Sequence, residues 1–120
     1  MSKKTLVLGA SDNPQRYSYL AMQRLKARGH ETVGIGRKAT TVDGTAILKE
    51  KLPFENIDTI TLYLNETHQQ EYYDYILSLK PKRIIFNPGT ENPELYALAE
   101  QNGIEPVEAC TLVMLSTNQY

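Results

Sequence analysis

Three short stretches of this chain carry residue types that handle anions. The first, LVLGASDNPQRYS (residues 6–18), runs an apolar stretch into Gly9, Ala10 and Ser11, with Arg16 shortly after. A strand that feeds a helix through a tight loop of small residues aims free backbone N–H groups at one point, where a phosphate can sit. Ser11 adds a hydroxyl and Arg16 a planar charged fork. A plain turn is the other reading, and Asp12 speaks for it unless its carboxylate points away. The second stretch, VGIGRK (residues 33–38), ends on Gly36, Arg37 and Lys38; the third, NPGTEN (residues 87–92), places Asn87 and Gly89 ahead of a helix start.

The spacing narrows the kind of anion. A dinucleotide fingerprint needs three glycines, for the turn, for the pyrophosphate approach and for helix packing. Here only Gly9 is in place, Ser11 stands where the second glycine belongs, and no third follows. NAD sites also put an acid near the end of the second strand to bind the ribose diol, whereas a phosphorylated ribose calls for a cation. This chain has Arg37 and Lys38 there. The pattern favours an adenosine with an extra ribose phosphate, at the 2′ position in NADP or the 3′ position in coenzyme A. A solvated loop accounts for the same two cations without any ligand. At the third stretch Gly89 permits close backbone approach, while Asn92 and Pro93 are explained as helix cap and first helical residue.

These loops need a scaffold of alternating strands and helices. TLVL (residues 5–8) is a continuous apolar run, as in a parallel strand covered on both faces. Residues 14–28 follow as a helix, with Asn13 as cap, Pro14 in the first turn, and Tyr17, Leu20, Ala21, Leu25 and Arg28 at helical spacing. Gly29 stops it. ETVGIG (residues 31–36) is a second strand, and residues 39–56 are irregular around a turn at Gly44. DTITLYL (residues 58–64) is the third strand. Asn65 or Thr67 caps a helix running to Leu79 with Tyr72, Ile76 and Leu79 on its buried face. RIIF (residues 83–86), a helix from Pro93 closed by Gly103, a strand at Glu105–Glu108 and a last helical turn after Thr111 complete the order. This alternation predicts an α/β fold, a Rossmann-like doubly wound parallel sheet of about five strands in three α/β/α layers. In such a sheet the site lies at the carboxyl ends of the strands, where loops 9–16, 34–38 and 87–92 meet.

Bulk properties restrict the alternatives. A chain of 120 residues fits one domain, spanning residues 1–120, with a core of its own. The net charge of −1 and interspersed charges give no basic field for nucleic acid. The apolar run after MSKK is too short for a signal or a membrane span, so the expectation is a cytoplasmic protein with no membrane partner. A single cysteine, Cys110, with His30 and His68, rules out a disulfide framework and a zinc cluster.

The blocks GASDNPQRYSYLA, VGIGRK, RIIFNPGTENPEL and EPVEACTLVML together resemble the small stand-alone CoA-binding domain family, itself similar to the N-terminal CoA-holding domain of the succinyl-CoA synthetase alpha subunit. The resemblance spans nearly the whole chain and implies a Rossmann-like fold with the 3′-phospho-ADP part of CoA over the first loop. Gly9, Ala10 and Ser11 match the family's opening Gly-Ala-Ser, with Arg16 in the segment after it. Arg37 and Lys38 stand where relatives often show an Asn-Pro-Lys-like turn, whose Asn-Pro this chain lacks. Asn87-Pro88-Gly89 matches a Gln-x-Gly element, and Cys110 a cysteine common near the end of the last strand.

Chemistry beyond binding finds few residues. In the synthetase the phosphorylated histidine and the nucleotide grasp belong to other domains. His68 reads as a surface residue far from the cleft, and His30 lies at the opposite end of the second strand. Cys110 reads as a small buried hydrophobe or, more sharply, as a thiol forming a mixed disulfide with CoA. Tyr17 and Tyr19 read as core in preference to an adenine platform; Tyr72, Tyr73 and Tyr75 cannot share one helical face. The expectation is therefore non-covalent binding of coenzyme A or acyl-CoA by Gly9, Ala10, Ser11, Arg16, Gly36, Arg37, Lys38, Asn87 and Gly89, in a carrier, sensor or regulatory module with no complete active site and no metal. The alternatives are an NADP-binding redox module, the CoA-binding subunit of a split acyl-CoA ligase, and a protein-interaction domain without ligand. A homodimer or a larger ligase-type subunit is the expected protein partner.

Overall fold

In the computed structural model, which describes residues 2–120, the first apolar run is the central strand β1 (Thr5–Ala10) of a seven-stranded sheet. Its side chains alternate between two cores. Leu6 and Leu8 join Ile60, Leu62, Ile84 and Phe86 on one face, while Val7 and Ala10 join Met22, Leu25, Ile47 and Leu115 on the other. Burial on both faces is what the unbroken apolar run requires.

Around β1 lie β2 (Thr32–Gly36) and β5 (Thr59–Leu62), both parallel to it, then β6 (Arg83–Phe86) and β7 (Glu105–Glu108), also parallel. With β3 (Thr40–Val42) and β4 (Thr45–Leu48) beyond β2, the order β3-β4-β2-β1-β5-β6-β7 winds outward from β1 in both directions. Helices α1 (Tyr17–Ala27) and α5 (Thr111–Ser116) supply Met22, Leu25 and Leu115 to one core. Helices α3 (Tyr73–Leu79) and α4 (Pro93–Gln101) supply Ile76, Leu95 and Ala99 to the other. The doubly wound α/β/α architecture stands.

The strand count changes from about five to seven. Residues 39–56, expected to be irregular, contain an antiparallel hairpin of β3 (Thr40–Val42) and β4 (Thr45–Leu48), with β4 parallel to β2. Its two-residue turn, Asp43-Gly44, has φ of 49° and 81°. Positive φ at both central residues is the condition for a hairpin whose twist matches its strands, and Asp-Gly satisfies it.

Helix α1 also starts later than expected. Asn13 does not cap it: Asn13 Oδ1 accepts from the Gln15 amide, its carbonyl accepts from the Arg16 amide, and the helix begins only at Tyr17. Asn13-Pro14 closes a local turn instead. Tyr17, placed on the buried face by spacing, is 73% exposed; Ser18, Ala21, Met22 and Leu25 are buried. After β5, Asn65 caps as expected by accepting from the His68 amide. The following helix breaks into α2 (Glu66–Gln69), a 3-10 turn (Gln70–Tyr72) and α3. The break rotates the buried face, so Tyr75 is buried with Ile76 and Leu79 and Tyr72 is only half-buried.

Candidate functional site

Chain direction reverses beside β1: the path runs outward through β2 and its hairpin, then returns to β5 on the other side. Between such strands the connecting helices go to opposite faces and leave a crevice at the carboxyl ends. A cleft of about 790 Å³ lies there.

Two glycines shape its floor. At Gly9, with φ +93°, the β1–β2 register shifts, and an added Cβ would sit 2.9 Å from the Tyr63 carbonyl carbon. At Gly36 a Cβ would come within 2.2 Å of the Ala10 carbonyl oxygen. The bareness of Gly36 is therefore required by the approach of β1 to β2.

Of the nine residues expected at the site, eight line the cleft: Gly9, Ala10, Ser11, Arg16, Gly36, Arg37, Lys38 and Gly89. In the first loop the Ser11 hydroxyl accepts from the Asn13 amide, closing the turn. The loop's other internal bonds start at Gln15 and Arg16, which leaves the Ser11 amide out of them. Asp12 lines the cleft too, with Oδ2 paired to Lys38 Nζ. Among the described residues no carboxylate pairs with Arg16 or Arg37, both exposed.

Asn87 is placed differently. The residue is 2% exposed, and Nδ2 donates to Thr61 Oγ1 (2.7 Å) and the Leu62 carbonyl (2.8 Å) while Oδ1 accepts from the Thr111 amide (2.9 Å). Its polar atoms serve β5 and the start of α5, and it does not line the cleft. Pro88, Gly89 and Thr90 do.

The structure brings in residues that spacing did not assign. Leu64, Asn65, His68, Glu71 and Tyr72 form a wall beyond β5, and Tyr17 stands at the rim. His68 is exposed as expected, yet it belongs to the cleft, because the cap at Asn65 starts α2 directly at the end of β5. Tyr19 packs half-buried against the α1 core, but Tyr17 does not. Asn65 as a cap on the strand–helix junction was the available signal for this wall. Cys110 is half-buried in a separate, smaller hollow with Phe86, Pro88 and Glu108, and His30 sits at the far end of the sheet, where Nδ1 accepts from the Lys3 amide. Among the described residues no cluster of His, Cys, Asp or Glu could hold a metal ion, and no helix is long and apolar enough to cross a membrane.

The family model described as a CoA binding domain matches residues 3–116. The chain belongs to the CoA-binding domain family. A solved structure, a crystal structure of an uncharacterized protein, is 55% identical over 100% of this chain and 99% of that one, with a TM-score of 0.97. A hypothetical protein from Pyrococcus horikoshii OT3 is similar in fold at 23% identity, over 97% of this chain and 83% of that one, with a TM-score of 0.86. A Thermus thermophilus protein at 18% identity covers 99% of this chain and 91% of its own, also with a TM-score of 0.86. No curated protein matches the chain. For this CoA-binding domain, the matched span includes every residue that lines the cleft.

Proposed function

We propose that the cleft binds coenzyme A or an acyl-CoA non-covalently, making the protein a carrier, sensor or regulatory module. One observation carries this reading: in a member of the CoA-binding domain family, the loops after β1, β2, β5 and β6 share one concavity whose three lysine and arginine side chains, Arg16, Arg37 and Lys38, all come from the loops after β1 and β2. The pyrophosphate takes the backbone after Gly9, with Ser11 and Arg16 beside it. Arg37, without an ion-pair partner among the described residues, takes the ribose 3′-phosphate, with Lys38 as second cation. The neutral arm runs past Leu64 and Gly89. Asn87 supports that path from beneath and makes no ligand contact.

Titration calorimetry with CoA, 3′-dephospho-CoA, NADP and NAD tests the assignment. CoA should bind most tightly, and Arg37→Ala should weaken CoA by roughly tenfold while leaving 3′-dephospho-CoA nearly unchanged, since one charge-assisted hydrogen bond is at stake. Tight NADP binding without CoA binding reverses the reading in favour of a redox module. Equal loss of both CoA forms in Arg37→Ala removes the phosphate role of Arg37.

A further inference from the structure

Gln69, the last residue of α2, is completely buried and does not line the cleft. Its Nε2 donates to the Leu64 carbonyl at 2.8 Å and to the Thr90 carbonyl at 2.8 Å; its Oε1 accepts from Asn92 Nδ2 at 3.0 Å. Both amide hydrogens and the amide oxygen are therefore used. Asn92 in turn donates to the Tyr73 hydroxyl at 2.8 Å and caps α4 by accepting from the Glu94 and Leu95 amides. Leu64 and Thr90 are both cleft-lining residues, on the β5 side and the β6 side respectively. One side-chain amide thus joins the facing walls of the same half of the cleft.

That half differs in charge from the other. Among the described residues, lysine and arginine line the cleft only from the loops after β1 and β2, whereas the wall beyond β5 contributes Leu64, Asn65, His68, Glu71 and Tyr72. A phosphate meets no lining lysine or arginine in this half, whereas a neutral amide chain needs none. Leu64–Asn65 and Pro88–Thr90 line the two sides of this half of the cleft.

We propose that Gln69 is a positioning residue that sets the width of this gap, and so the grip on the pantetheine arm, without touching the ligand. The proposal rests on the CoA reading above. A buried amide that spans two backbone carbonyls acts on width because its loss leaves both acceptors without partners, and the walls must move apart to reach water.

The test compares CoA with adenosine 3′,5′-bisphosphate, which carries the phosphates of the cationic half but no arm. Gln69→Leu should weaken CoA by roughly tenfold or more and leave the bisphosphate within about twofold. Equal weakening of both ligands, or of neither, overturns the positioning role. Should Gln69→Leu not fold, the wild-type chain gives the same decision by NMR: the Gln69 side-chain amide resonances should shift on adding CoA and stay in place with the bisphosphate. Equal response to both, or to neither while CoA binds, overturns the proposal. A wild-type chain that binds neither ligand overturns the functional reading itself.

Discussion

Lys38 Nζ stands 3.0 Å from Asp12 Oδ2, tying the loop after β2 to the loop after β1 at the cleft. Thr40 Oγ1 donates to the same carboxylate oxygen at 3.3 Å. The hydrogen bond from Lys38 holds the Asp12 carboxyl below its ordinary range, so Asp12 is ionised at neutral pH. Lys38 thereby shares its charge with a protein carboxylate, whereas Arg37 has no carboxylate partner among the described residues.

Removing the carboxylate should release Lys38 to an incoming anion. Asp12→Asn is expected to raise CoA affinity by about threefold at low ionic strength, with the gain shrinking as salt is added, because the groups are exposed and screened. Calorimetry at two salt concentrations measures it. A gain that is absent at low salt would mean that Lys38 contributes nothing to the ligand's field.

Gly36 and Gly89 both line the cleft, but their bareness has different causes. A Cβ on Gly36 meets the Ala10 carbonyl oxygen at 2.2 Å, inside paired backbone; a Cβ on Gly89 meets nothing within 4 Å, and only its φ of +91° is unfavourable. Gly36→Ala should cost about 2 kcal/mol or more by forcing β1 from β2, and Gly89→Ala about 1 kcal/mol. Urea denaturation of the two variants settles the order. A smaller loss for Gly36→Ala than for Gly89→Ala contradicts the close-approach argument.

Asn87 should behave as a structural residue. Asn87→Ala strands the Thr111 amide and the Leu62 carbonyl in the interior and removes one partner of Thr61. The expected destabilisation is roughly 3 kcal/mol, read as a lower urea midpoint with unchanged slope. A variant as stable as the wild type would return Asn87 to the ligand.

Stability should fall at alkaline pH. Tyr75 is buried and donates to the Leu52 carbonyl, and burial pushes its pKa up from 10.0 to about 12; Tyr63 and Tyr120 are shifted the same way by burial. The unfolded tyrosine loses its proton first, so rising pH favours unfolding. The contribution is full below pH 10 and is lost between about pH 10 and 12. Denaturation midpoints across that window should decline, and the decline should be shallower in Tyr75→Phe.

Most strands were legible because their signals are local. RIIF and Glu105–Glu108 are bounded by Pro81, Asn87 and Gly103, and β6 and β7 coincide with them. The cap at Asn92 with Pro93 was equally local. The β3–β4 hairpin was not read from Thr-Thr-Val and Thr-Ala-Ile-Leu, which are short and lack a clear alternation. Its one strong mark was Asp43-Gly44, a dipeptide suited to a two-residue hairpin turn.

The sequence by itself determined the succession of β1, β2, β5, β6 and β7 with helical stretches between them, the class of sheet and the loops that carry Gly9, Ser11, Arg16, Arg37 and Lys38, since apolar period, caps and turn residues act over a few positions. Only the tertiary structure decided that Asn87 faces inward to Thr61 and Thr111, that Asp12 takes up Lys38, and that His68 and Tyr17 reach the cleft. Each of those outcomes depends on groups from separate strands meeting in space. A hydrogen-bonding side chain settles on the partner that burial and geometry bring nearest, and no spacing along the chain encodes that choice.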